Sequence, residues 1–209
     1  MKEYSILMAD VIKSRDDTQN VIAGHLKQLT TDINHRSKKG ILSPLTVTLG
    51  DEFQGVVTGT QAGLEIMILL EELMLEKSIP FQLRYVLGKG PIQTPVNKEV
   101  AHGMLGRGLT ETREKLNALK KEDTRFFVFG TENDMYFNNL FVLYQSVRDD
   151  WNIKDNKVIA DFLRYDDYKT VAEKNNKTWS QMWKRKKSLK IREYNIIKQM
   201  ILEYQHVLD

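Results

Sequence analysis

The chain has 209 residues, 41% apolar and 28% charged, with a formal net charge of +3. This balance excludes wholesale disorder and admits one or two domains. Apolar runs reach only five residues, which excludes a transmembrane helix, and the lack of cysteine excludes disulfides and thiolate metal sites.

In chain order, residues 4–9 form a short apolar run ending at Asp10, the mark of a buried strand. Val21, Ile22, Leu26, Leu29 and Ile33 fall at helical spacing and predict an amphipathic helix over about 18–38. Two apolar runs, 45–49 and 53–57, flank Gly50-Asp51-Glu52 and predict a hairpin. Residues 62–75 are apolar nearly all round, as in a helix buried against a sheet. A strand over 81–87 follows, closed by Gly88-Lys89-Gly90-Pro91, which reads as a turn. Residues 103–108 form a second glycine-rich loop, and neither loop matches a phosphate-binding or dinucleotide fingerprint. A helix over 108–121, a strand over 125–129 and a helix over 139–148 complete this half.

The fold class expected is therefore α+β. The order β-α-β-β-α-β predicts a ferredoxin-like domain over about 1–131, left by a linker helix over 132–150. Residues 151–209 lack strand patterning and predict an all-α domain. They hold 13 Lys and Arg against 8 Asp and Glu, so the basic excess lies here. Within 184–192, six of nine residues are basic. A run of this kind marks either a nucleic-acid contact or a solvated helix face.

In a ferredoxin-like sheet the first and third strands are central neighbours. Asp10 and the hairpin carrying Asp51 then meet at one edge, close enough to share hydrated Mg²⁺. Each carboxylate taken singly also reads as an ordinary turn or capping residue. The four histidines are scattered, and no pair has metal-ligand spacing.

Ala9–Arg15, together with the stretch Thr46–Gly55 that contains GDEFQG, resembles the SatD family of bacterial proteins. Residues 84–90 and Thr112-Arg113-Glu114 continue the resemblance, which covers essentially the whole chain. The N-terminal half is in turn similar to class III nucleotidyl cyclases and GGDEF diguanylate cyclases. That likeness implies a metal pair on Asp10 and Asp51. It implies nucleotide contacts at Ser14, Arg15, Gly50 and Glu52, and a transition-state role for Arg113. It also implies Mg²⁺ and a nucleoside triphosphate as ligands. Leu109 stands where class III cyclases carry an asparagine, and Leu49 stands at the first glycine of GGDEF. Both departures argue against cyclase turnover.

Residues 168–187 resemble a helix-turn-helix, with Val171, Ala172 and Met182 at packed positions. Asn175-Asn176-Lys177 forms the turn, and Thr178 is a good N-cap for the second helix. Thr178, Ser180, Gln181, Lys184, Arg185 and Lys187 would then face DNA. Trp179 and Trp183 read as core or interface residues. The reading favoured is a cytoplasmic DNA-binding regulator, a homodimer whose cyclase-like domain senses a nucleotide or Mg²⁺. Its rivals are a Mg-dependent cyclase-like enzyme and a non-catalytic scaffold.

Overall fold

The structure, a computed structural model, describes residues 2–12, 19–48 and 50–204. Among these residues five strands form one sheet in the order β2-β3-β1-β4-β5. They are β1 (Glu3–Ile12), β2 (Ile41–Val47), β3 (Glu52–Val57), β4 (Gln82–Pro91) and β5 (Phe126–Phe129). The first four pair antiparallel, and β5 joins β4 in parallel. The strand at 4–9 does lie between the third and fourth strands, because the helices α1 (Gln19–Arg36) and α2 (Thr60–Glu76) carry the chain across the same face.

β1 is apolar on both sides because both sides are covered. Leu7, Ala9 and Val11 pack with α1 and α2 in the larger core. Ile6 and Met8 point the other way, toward α3 (Arg107–Leu119) and its core residues Leu109, Leu116 and Leu119. β1 runs past Asp10 to Ile12, so Asp10 lies inside the strand rather than at its end. Glu52 likewise opens β3 instead of sitting in the turn.

The turn expected at 88–91 is instead the second half of β4, where Gly88 pairs with Ile6 and Gly90 with Tyr4. The glycines there serve close packing rather than chain reversal. A Cβ on Gly90 would lie 2.7 Å from the Cα of Gly108 in α3, and one on Gly88 would strike Phe129 and Thr112. Glycine punctuates turns and permits close backbone approach equally well, and composition does not separate the two uses.

The helices α4 (Asp134–Arg148), α5 (Asn156–Tyr165), α6 (Tyr168–Lys174), α7 (Trp179–Ser188) and α8 (Ile191–Leu202) follow. Ile159, Phe162, Val171, Ala172, Met182, Tyr194 and Ile201 belong to the same apolar cluster as α1, α2 and the sheet. Tyr144 and Tyr194 meet hydroxyl to hydroxyl at 3.1 Å, and Lys198 reaches Glu72 of α2 at 2.6 Å. α2 is apolar nearly all round, yet it buries Glu71, whose carboxylate meets Arg125 at 3.2 Å and Arg148 at 3.1 Å.

Candidate functional site

Two places gather the polar residues singled out in the sequence. The first lies on the α3 side of the sheet. Asp10 continues the face of Ile6 and Met8, and is flanked by Glu52 on β3 and Arg84 on β4. Both Asp10 oxygens accept from Arg84 Nη1, at 3.2 and 3.0 Å. Lys120, at the C-terminus of α3, sits 3.4 Å from Asp10 and 3.8 Å from Glu52. Arg113, about two turns earlier on the same face of α3, pairs with Glu52 and reaches Gln54 Oε1 at 3.4 Å. Asp10 and Glu52 are nearly buried, whereas Lys120 and Arg113 remain partly open to solvent.

Burial raises the Asp10 pKa, against the lowering effect of Arg84 and Lys120, and the charge of Asp51 raises it further. Asp51 therefore lies within electrostatic reach of Asp10. Its carbonyl accepts from Val11 N at 2.9 Å, which ties the hairpin to the end of β1. Gly50 has φ +82, a left-handed conformation that glycine adopts without strain and that lets this turn close. Ser14, Arg15 and Leu49 lie outside the described residues.

Leu109 belongs to the core beneath α3, packed with Ile6, Met8 and Leu116. An asparagine there would bury an amide among apolar side chains. Arg84, Gln54 and Lys120 were not expected as members of the site. Arg84 carried one signal, as the only charge in the otherwise apolar run 83–88. Lys120 carried none, because a lysine ending a helix is ordinary.

The carboxylates of this cluster are met by cationic side chains. Lys120 bridges Asp10 and Glu52, and Arg84 donates to both Asp10 oxygens. Among the described residues no group of three or more His, Asp or Glu is placed to hold a metal ion. The cluster offers to solvent the side chains of Lys120 and Arg113, beside the half-buried Asp51.

The second place is α6, the turn and α7. Asn176 adopts φ 52 in the turn. Thr178 caps α7 in a capping box, its hydroxyl accepting from Gln181 N at 3.2 Å while Gln181 Oε1 accepts from Thr178 N at 3.0 Å. Val171, Ala172 and Met182 are buried at the α6–α7 contact. Among the described residues of α7, Met182 alone is buried. Ser180, Gln181, Lys184 and Lys187 are exposed.

The basic run is less uniform than its composition suggests. Arg185 is half-buried in an ion pair with Asp155, and Lys186 pairs with Asp166. Lys187 lies over the Trp183 ring at 3.8 Å. Trp179 and Trp183 are both exposed, so neither serves the core.

A profile of the SatD family matches residues 4–203. The chain belongs to the SatD family. Among curated proteins none matches it. Solved structures that overlap this SatD family member in part include three cyclases. A bacterial light-regulated adenylyl cyclase aligns with a TM-score of 0.44 and 12% identity, over 60% of this chain and 74% of that one. The catalytic core of a rhodopsin-guanylyl cyclase with converted specificity, in complex with ATPαS, gives 0.35 and 14%, over 56% and 73%. The guanylyl cyclase Cya2 gives 0.35 and 12%, over 56% and 70%. Among the described residues no helix is long and apolar enough to cross a membrane.

Proposed function

We propose that this SatD family protein is a cytoplasmic DNA-binding regulator. In this reading α6 and α7 form a helix-turn-helix with α7 as the recognition helix. A ferredoxin-like sheet carries a nucleotide sensor beneath α3. The observation that carries the reading is the outward presentation of α7, which buries only Met182 among its described residues. Its capped first turn is open, and side chains there reach base edges in a major groove. Gln181 Oε1 is held by the cap, so its amide nitrogen is left to donate to base acceptors. Lys184 and Lys187 would meet phosphates. Arg185 is a poorer contact than its sequence suggests, because Asp155 holds it.

The test is a titration of labelled DNA, including the region upstream of the protein's own coding sequence, at several salt concentrations. Lys184→Ala is expected to weaken binding similarly on all sequences and to lower the salt slope by about one. If Lys184 instead reads a base, the loss is about 1–3 kcal/mol and falls on particular sequences. Arg185→Ala is a worse probe, since it also breaks the pair with Asp155. Wild-type protein with no salt-dependent binding to any DNA overturns the reading.

For the sensor, the phosphates of a nucleotide would engage Lys120 and Arg113 from solvent. The solvent exposure of the Lys120 and Arg113 side chains supports this placement. Calorimetric titration with ATP and GTP is expected to show binding without added Mg²⁺, weakened roughly tenfold or more in Lys120→Met. No cyclic nucleotide is expected from either triphosphate, because Leu109 fills the core and Asp10 is held by Arg84 and Lys120. Turnover that disappears in Asp51→Asn would put the enzyme ahead of the regulator.

A further inference from the structure

The outer face of α8 bears a partly apolar stripe with Arg192 at one end and Glu203 at the other, and the exposed Glu193 beside Arg192 lies within electrostatic reach of Lys190. Arg192, Ile196, Gln199, Met200 and Glu203 are all exposed and recur so that they share a sector of about 100°. Ile196 is 46% and Met200 42% exposed, which is high for side chains of this kind in a helix that buries Ile191, Tyr194 and Ile201 on its other side. Arg192 and Glu203 stand roughly 16 Å apart along the helix axis. Gln199 Nε2 donates to Glu203 Oε2 at 2.9 Å and holds that carboxylate on the stripe.

We propose that this face of α8 is where two copies of the chain associate, antiparallel about a two-fold axis through the middle of the stripe. Charge chooses the occupant and the direction. Antiparallel pairing sets Arg192 against the partner's Glu203 at each end, so both ends are satisfied by one symmetric contact. Parallel pairing would set arginine on arginine and glutamate on glutamate. Between the ends Ile196 and Met200 leave water against the neutral centre of the partner's stripe. Beside them a groove of about 830 Å³ between α7 and α8, floored in part by Trp183, widens the surface that a second helix can cover. Residues 178–181 do not line this groove, so the open turn of α7 stays uncovered.

The inference does not depend on DNA binding and is tested without DNA. Sedimentation of the full chain is expected to show a concentration-dependent dimer. Arg192→Glu should raise the dimer dissociation constant about 100-fold, because it places like charges together at both ends of the contact. Glu203→Arg should do the same. The double variant, with the two charges exchanged, should dimerise like the wild type. Far-ultraviolet circular dichroism checks that each variant is folded, and both sites are exposed. A wild-type chain that stays monomeric up to its solubility limit overturns the proposal. So does a dimer that neither single change weakens, or a double variant that fails to recover.

Discussion

Glu71→Leu is expected to lower folding stability by about 3–5 kcal/mol, the range seen when one partner of a buried ion pair is removed. Glu71 is 1% exposed, and its two oxygens serve three partners. Oε1 accepts from the Tyr85 hydroxyl at 2.9 Å and from Arg125 Nη1 at 3.2 Å. Oε2 lies 3.1 Å from Arg148 Nε, a charge contact at an angle unsuited to a hydrogen bond. Arg125 has a second carboxylate, Asp149, at 2.7 Å, and also donates to the Leu83 carbonyl at 2.7 Å. Without Glu71, Arg125 keeps Asp149, while Arg148 loses the carboxylate it meets.

Urea unfolding measures this loss. A change below about 1 kcal/mol would show that water reaches the cluster and replaces the carboxylate. Replacing Arg125 and Arg148 by methionine together with Glu71→Leu should cost less than the single change, since no charge is then stranded.

The same group makes stability depend on acid. Burial alone would raise the Glu71 pKa, but Arg125 and Arg148 outweigh it and hold the carboxyl below its ordinary value. Its folded pKa thus lies below its unfolded one. The stabilisation is fully present above the usual carboxylate range and is lost as pH falls through the lower, folded value. Stability of the wild type should fall on that acid limb, and Glu71→Gln should flatten it.

The second large effect is expected at Gly108. A Cβ there would lie 2.7 Å from the carbonyl carbon of Gly90 and 2.9 Å from its Cα. These are backbone atoms of a central strand and cannot rotate aside. Gly108→Val should therefore push α3 off β4 and cost about 3 kcal/mol, at the upper end of overpacking. It should also weaken nucleotide binding, because α3 carries Arg113 and ends at Lys120. Gly24, exposed in α1 with nothing within 4 Å of an added Cβ, is the control. Gly24→Ala should stabilise by about 0.4–1 kcal/mol through the unfolded chain. Thermal unfolding of both variants makes the comparison, and a Gly108→Val protein as stable as wild type would mean that α3 sits further from the sheet.

The strands and helices of the first half were legible because burial imposes a period. β1 alternates between two covered faces, and α1 repeats its apolar residues every turn. Thr178 and the packed Val171, Ala172 and Met182 were legible for the same reason, since a cap and a crossing each demand particular side chains. The polar site was only half visible. Asp10, Asp51 and Glu52 stood out as acids beside a hairpin, but their partners are distant in the chain. Arg84 belongs to another strand, and Lys120 lies at the end of a helix. No local pattern links a lysine to a carboxylate that the fold alone brings near it. Arg185 shows the converse. Its neighbours made it look solvated, and Asp155, from a preceding turn, draws it in.

The position of α2 has a consequence for the newly made chain. One side of α2 meets the sheet, whose last strand ends at Phe129. Its other side waits for α5 and α8. Glu72 is met by Tyr194 and Lys198, and Gln61, in the first turn of α2, donates to the Leu202 carbonyl at 2.6 Å. α8 thus closes over one of the first helices in the chain. α2 therefore keeps an apolar flank open until α8 has left the ribosomal exit tunnel. The sheet can form before α8 emerges, but the fold closes only once it has, and in that interval the exposed flank of α2 is the surface a chaperone would hold.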